Sequence, residues 1–393
     1  MKRFAKIRLS ISRFGTARIS SISAELACQI MLILAAVFTT SCSISNGERT
    51  CGLPLNYNIF CFYYNWYGNE GFDNKLVHWA HPVLPESAGL IDSGYIFGEN
   101  NNIASNFFPF LGLYSNNDPQ IIRKHMEMVS KARIGVLAIT WWGEADTFGA
   151  KNIPLLLEEA AKRGIKVCFH IEPFPGRTVQ TIRNAIQHII DTYGSHPAFY
   201  KKEGRPLFFI YDSYLIPVRE WASLLSPEGS LTIRGTAYDA MMIGLWVNEG
   251  EEAFFTESCF DGVYTYFASA GFTYGSTPEN WAYLQKWAEN NGKIFIPSVG
   301  PGYIDTRIRP WNVTTIRNRR EGEYYDRMFQ QAIESGAAYL SITSFNEWHE
   351  GTQIEPAIPM ECTEFKYLDY GNLENDCYLR KTAFWIQCFE NKR

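Results

Sequence analysis

Glu347 and Glu350 stand three residues apart in the run Ser344-Phe345-Asn346-Glu347-Trp348-His349-Glu350. Two carboxyl groups are the minimum set for cleaving a glycosidic bond: one, protonated, gives a proton to the leaving oxygen, and the other, ionised, acts as base or nucleophile. An apolar aromatic wall raises the pKa of the first by desolvation, and a cation or hydrogen-bond donor keeps the second charged. Trp348 and Arg309 are candidates for those two environments. An arbitrary Glu-x-x-Glu is more often a solvated pair capping a helix. Here the flanking aromatics, the absence of lysine partners and the position just after an apolar run argue for chemistry. Glu172, in His170-Ile171-Glu172-Pro173, is a third carboxylate suited to holding a sugar hydroxyl or orienting an acid. The stretch from Pro301 to Asn312 is dense in hydrogen-bonding groups, and one of its arginines, Arg307 or Arg309, is expected to face the site.

Other chemistries find little support. His78 and His81 are three apart and His349 adjoins Glu350, but no HExxH or CxxC is present, so neither a catalytic nor a structural metal is expected. A GxSxG elbow is missing, as are GxGxxG after a strand and GxxxxGK[ST], so no nucleotide or other cofactor is implied. A formal charge of -5, with basic residues scattered beyond the first twenty, excludes nucleic acid as the main partner. The aromatic fraction of 15%, with 22 Tyr and 11 Trp in short clusters, instead suits flat, hydroxyl-rich ligands such as sugars.

Eight apolar, β-branched or aromatic runs read as strands: 59–64, 136–141, 166–171, 207–211, 243–246, 262–266, 293–299 and 339–344. Amphipathic stretches at helical spacing lie between many of them, at 120–133, 153–163, 179–193, 278–291 and 321–335. Three of these stop at Gly164, Gly292 and Gly336, where a left-handed cap is expected. Continuous apolar strands alternating with helices imply parallel strands buried on both faces, and eight of them imply an α/β fold, a (β/α)8 TIM barrel, as one catalytic domain over residues 50–393. In such a barrel chemistry collects where strands end, and the acids and aromatics named above fall at those ends. The segment 68–119 is too long for an ordinary connection and is expected to fold over the mouth.

Residues 1–25 carry Lys2, Arg3, Lys6, Arg8, Arg13 and Arg18 against Glu25 alone, and an uncharged stretch follows at 26–47. This reads as a basic cytoplasmic tail and a signal-anchor or signal-peptide segment that takes the body across a membrane. Among nine cysteines, the tail trio Cys362, Cys377 and Cys388 has room for one disulfide, whereas Cys168 is expected as a buried thiol. Asn312-Val313-Thr314 is a glycosylation sequon.

At Phe62-Tyr63-Tyr64-Asn65-Trp66-Tyr67-Gly68, His78-Trp79, Trp141-Trp142-Gly143, His170-Ile171-Glu172-Pro173, the 302–312 stretch and above all Ser344 to Pro356, the chain resembles the glycoprotein endo-α-1,2-mannosidases. The likeness runs from about residue 57 to about residue 357. It implies a cofactor-free (β/α)8 hydrolase that cuts inside a mannose-containing oligosaccharide at an α-1,2 linkage. Eukaryotic members release glucosyl-mannose from glucosylated high-mannose N-glycans as type II Golgi membrane proteins, and bacterial members attack mannans. The resemblance further implies retention through a 1,2-anhydro sugar, with Glu347 deprotonating the substrate 2-hydroxyl and Glu350 as acid, then base. It assigns Tyr64, Trp142, Glu172, Tyr266, Arg309 and Asn346 to the mannose site. Tyr63, Tyr264 and Arg307 are the alternatives one register step away. Little stem separates the apolar segment from the body, so an anchored Golgi enzyme and a secreted or surface-anchored one both remain open.

Overall fold

A computed structural model describes residues 53–84 and 101–392. The tail 1–25 and the apolar segment 26–47 lie outside the described residues; among the described residues no helix is long and apolar enough to cross a membrane. The chain from Thr50 onward forms one compact unit.

Eight parallel strands make the barrel: β1 (Asn56–Tyr63), β2 (Ile134–Trp141), β3 (Lys166–Ile171), β4 (Arg205–Ile210), β5 (Met241–Leu245), β6 (Gly262–Tyr264), β7 (Ile294–Ile296, resumed at Ser298–Val299) and β8 (Leu340–Ile342). Each pairs with the next, and β8 returns to β1 through Ile59 opposite Leu340 and Cys61 opposite Ile342. The predicted strand 293–299 is broken at Pro297, which has no N–H for the ladder. Its first part pairs with β6 and its second with β8, so the barrel closes across the break. Every residue of β2 is buried, as expected of a parallel strand covered on both faces.

A helix follows each strand: α1 (Pro119–Lys131), α2 (Thr147–Ala161), α3 (Val179–Tyr193), α4 (Val218–Leu225), α5 (Glu252–Glu257), α6 (Trp281–Asn290), α7 (Glu323–Glu334) and α8 (Cys377–Asn391). Local chemistry sets several starts. Asp118 caps α1 by accepting from the Gln120 N–H, with Pro119 in the first turn, and Thr178 and Thr181 cap α3 reciprocally. The turns at Gly164, Gly292 and Gly336 have φ of +73°, +61° and +82°, the left-handed region expected there. Three helices, α4, α5 and α8, were not legible as helical periods. The first two span only eight and six residues, and α8 comes after a long irregular stretch.

The segment after β1 is tied to the segment after β8. Phe108–Pro109 pairs antiparallel with Ala357–Ile358, the Ser105 hydroxyl donates to the Trp348 carbonyl at 2.8 Å, and the Asn116 side chain and backbone grip both backbone groups of Tyr67. Trp79 stacks on Tyr67 with ring centres 4.1 Å apart and donates to the Tyr114 carbonyl. Of the cysteines, Cys168 is the expected buried thiol. The tail disulfide is not formed between Cys362 and Cys377, which are both free thiols.

Gly300, where β7 ends at the mouth, leaves no room for a side chain: an added Cβ would sit 2.3 Å from the Ala268 Cβ and 2.7 Å from the Thr343 carbonyl oxygen. Gly300→Ala is expected to cost about 1–3 kcal/mol through overpacking. Thermal denaturation checks this, and an unchanged melting temperature would contradict the tight approach of β7 to β8.

Candidate active site

The residues at the carboxyl ends of β1, β2, β3, β6 and β8, with the loop after β7, meet at one mouth. Glu347 is 4% exposed, and the His349 backbone N–H donates to its Oε1 at 3.1 Å. Its own N–H is held by the Ser344 hydroxyl at 2.8 Å, so the turn between the two acids is braced from inside. Glu350 is less covered and lies 3.4 Å from Arg309 Nη1. Arg309 is itself anchored 3.1 Å from Asp305 Oδ2, which also accepts from the Tyr303 hydroxyl and the Asn312 amide, each at 2.9 Å. The amide nitrogen of the sequon asparagine is therefore engaged in this network.

Burial pushes Glu347 well above the ordinary carboxylate range, and the neighbouring charge of Glu350 adds to it; the His349 N–H and Arg309 oppose. Glu350 is also pushed up by burial, but Arg309 restrains it. The two carboxyls thus sense each other and together retain a proton to higher pH than isolated acids.

Around them stand hydroxyls and rings. The Tyr64 and Tyr266 hydroxyls hydrogen-bond to each other, and both phenols are pushed up, mainly by burial and further by the nearby glutamates, so they remain neutral donors. Glu172 accepts from the Thr140 hydroxyl at 2.7 Å and lies 3.0 Å from His170 Nδ1. Trp66 stacks on His78 at 4.3 Å, and its ring centre is 4.7 Å from Tyr64 and 6.3 Å from Trp142. Neither the Trp66 nor the Trp142 indole N–H has a hydrogen-bond partner among the described residues. His349 Nδ1 faces the Ala104 carbonyl at 2.9 Å and so carries a proton, while burial, then His81 and His78, keep the ring neutral. Burial likewise lowers His78 to about 3.

The register alternatives differ in placement. Arg309 contacts Glu350, and the Tyr64 and Tyr266 hydroxyls, bonded to each other, lie within the influence of both glutamate charges. Tyr63 instead turns to His125, Tyr264 to His170, and Arg307 to Asn102 and the ring of Phe365. Asn346 is fully buried, with its amide spent on the Tyr64 backbone: Oδ1 accepts from the N–H at 2.7 Å and Nδ2 donates to the carbonyl at 2.8 Å. Asp305, Thr140 and His81 also belong to the mouth. Sequence reading did not single out Asp305 or Thr140, although Asp305 lies in the stretch whose density of polar groups was the available signal. No group of three metal-ligating side chains occurs among the described residues. A cavity of about 480 Å³ adjoins the same loop, lined by Gly351 and by Arg319, whose guanidinium donates to the Gly351 and Gln353 carbonyls.

A (β/α)8 barrel with paired, buried, mutually sensing carboxyls at the carboxyl ends of its strands defines a glycoside hydrolase. Comparison with known proteins narrows this. The chain matches the model of glycosyl hydrolase family 99 over residues 54–391, through α8 and so beyond the extent legible by motif, and it belongs to that family. It is 46% identical over 356 residues to a Rattus norvegicus glycoprotein endo-alpha-1,2-mannosidase, covering 86% of this chain and 76% of the relative. A Homo sapiens glycoprotein endo-alpha-1,2-mannosidase-like protein is 44% identical over 350 residues, covering 86% and 77%. The solved family 99 endo-alpha-mannosidase of Bacteroides thetaiotaomicron is 57% identical, with a TM-score of 0.85 over 86% of this chain and 99% of that one. The protein is a glycosidase that cleaves α-mannosidic linkages.

Arg309→Gln removes the cation that restrains both acids, so each carboxyl should hold its proton to higher pH. Both limbs of the kcat/KM profile are then expected to move upward in pH. A profile that stays in place or moves down would show that Arg309 does not set the charge of the pair.

Proposed function

We propose that the enzyme cuts internal α-1,2-mannosidic linkages with retention, through a 1,2-anhydro sugar. The observation that carries this reading is the pair of buried acids sensing each other at one mouth, with Arg309 in direct contact with Glu350 while its charge acts on both. A mannosyl unit that donates its 2-hydroxyl hydrogen bond to Glu347 favours the charged form there and leaves the shared proton to Glu350. Glu347 then takes the hydroxyl proton as the 2-oxygen attacks C1, while Glu350 protonates the departing oxygen and the C1–O bond breaks. In the second half Glu350 takes a proton from water, the water oxygen bonds to C1, the C1–O2 bond opens, and Glu347 returns its proton to the 2-oxygen. Both acids end as they began.

In this reading Tyr64, Trp142, Glu172, Tyr266 and Arg309 contact the mannosyl unit, and Asn346 contributes by fixing Tyr64. The first substrate is a glucosylated high-mannose N-glycan, in line with the relatives named glycoprotein endo-alpha-1,2-mannosidases. A second, an α-1,2-linked mannan, is favoured by the higher identity to the bacterial enzyme. The uncharged run at 26–47 is the feature that supports a barrel beyond a membrane in either case, in the Golgi lumen for the first substrate and on a cell surface for the second.

Product analysis on the two glycans tests the reading and separates its substrates: glucosyl-mannose from the first, or short mannosides from the second. Glu350→Gln keeps shape but cannot donate as an acid, so turnover of natural glycans should fall at least about 100-fold with binding retained. Glu347→Gln should be equally impaired even on substrates with an activated leaving group. Wild-type rates for Glu347→Gln on activated substrates would place the base elsewhere, and normal rates for Glu350→Gln would remove the acid assignment.

A further inference from the structure

Glu355 is a fully buried acid that the reaction above does not use. Three donors converge on its carboxylate. His125 Nε2 lies 3.2 Å from Oε1, and the Tyr114 hydroxyl at 2.8 Å and Trp348 Nε1 at 3.2 Å both reach Oε2. Behind His125, its Nδ1 is 2.8 Å from the Tyr63 hydroxyl, which accepts from Asn116 Nδ2 at 3.0 Å. Behind Tyr114, its oxygen accepts from Asn346 Nδ2 at 3.2 Å and from Trp348 Nε1 at 3.1 Å.

Proton accounting gives the network a direction. Because Tyr63 accepts from Asn116, its own proton has an acceptor only at His125 Nδ1, so the imidazole carries its proton on Nε2 and gives it to Glu355. Because Tyr114 accepts from Asn346 and Trp348, its proton goes to Glu355 as well. Two hydrogen-bond arms, Asn116 to Tyr63 to His125 and Asn346 to Tyr114, therefore run toward one acceptor, and every donor in them is satisfied only if position 355 donates nothing. A glutamine there would turn an N–H₂ toward a donor.

We infer that Glu355 is a positioning residue for the acid pair. By holding Trp348 directly and Asn346 through Tyr114, it fixes the residues on either side of Glu347 against the end of β1, where Asn346 also grips Tyr64. The backbone agrees, since the Trp348 N–H is taken by the Tyr67 hydroxyl at 3.2 Å. The inference rests on Glu347 and Glu350 as the reacting acids, and it adds a buried hydrogen-bond acceptor whose task is aim rather than proton transfer.

The test compares Glu355→Gln with two variants of its partner. Glu355→Gln is expected to lose about 10- to 100-fold in kcat, with KM within about threefold, when assayed far below its melting temperature. His125→Gln still carries one acceptor for Tyr63 and one donor for Glu355 and should keep most of kcat; His125→Leu should fall with Glu355→Gln. In ¹⁵N-tryptophan-labelled protein the Trp348 indole N–H, assigned by its loss in Trp348→Phe, should shift in Glu355→Gln and His125→Leu but not in His125→Gln. A Glu355→Gln enzyme with wild-type kcat and an unmoved indole signal overturns the proposal. If Glu355→Gln does not fold, equal behaviour of the two His125 variants overturns it. Absence of mannosidase activity in the wild type would defeat the functional reading alone, because the indole signal still reports the positioning.

Discussion

Burial of Glu347 beside Glu350 withdraws two carboxyls from water within reach of each other's charge, so the pair holds on to a proton where isolated acids would not. The rest of the mouth is consistent with that constraint. Among the described residues the cation in contact with the pair is Arg309, which is shared between Glu350 and Asp305. Tyr64 and Tyr266 stay as phenols, and burial holds His78 and His349 neutral. A neutral sugar thus meets a lining of dipoles and rings, and the mobile proton of the pair is the main electrostatic variable. In a water-poor site such fixed dipoles act strongly and need little reorganisation.

Keeping two acids in that relation requires that the turn between them not relax. The brace comes from several sides: Ser344 beneath Glu347, Asn346 on the end of β1, Ser105 on the Trp348 carbonyl, and Arg319 on the carbonyls of Gly351 and Gln353. Arg319 has no carboxylate partner among the described residues; Phe107, Tyr370 and Tyr378 surround its guanidinium with ring centres 4.6 to 4.8 Å away. Aromatic packing and buried polar bonds serve one short loop.

The eight strands were readable because parallel barrel strands are apolar on both faces and therefore appear as unbroken runs, as β2 does from Ile134 to Trp141. Long amphipathic helices such as α1 and α3 were equally visible, while α4 and α5 are too short to complete a recognisable period. At the site, residue type and place at a strand end pointed to Glu347, Glu350 and Glu172. Which of two neighbouring tyrosines or arginines faces inward was not accessible, since Tyr63 and Tyr64 differ only in the side of the strand they occupy. Nor did anything in the sequence mark Asn346 as a clamp on backbone rather than a ligand to sugar, because an amide serves both purposes with the same atoms.

The short ladder joining Phe108–Pro109 to Ala357–Ile358 also bears on how the mouth can breathe. Stitched together at Phe108 and Ala357, these two described stretches cannot move apart without unzipping main-chain bonds. The loop after β7 joins the same clasp, since the Ile304 N–H donates to the Glu350 carbonyl and the Asn106 amide donates to the Ile304 carbonyl, so a displacement of any of the three is felt at the main chain of Glu350.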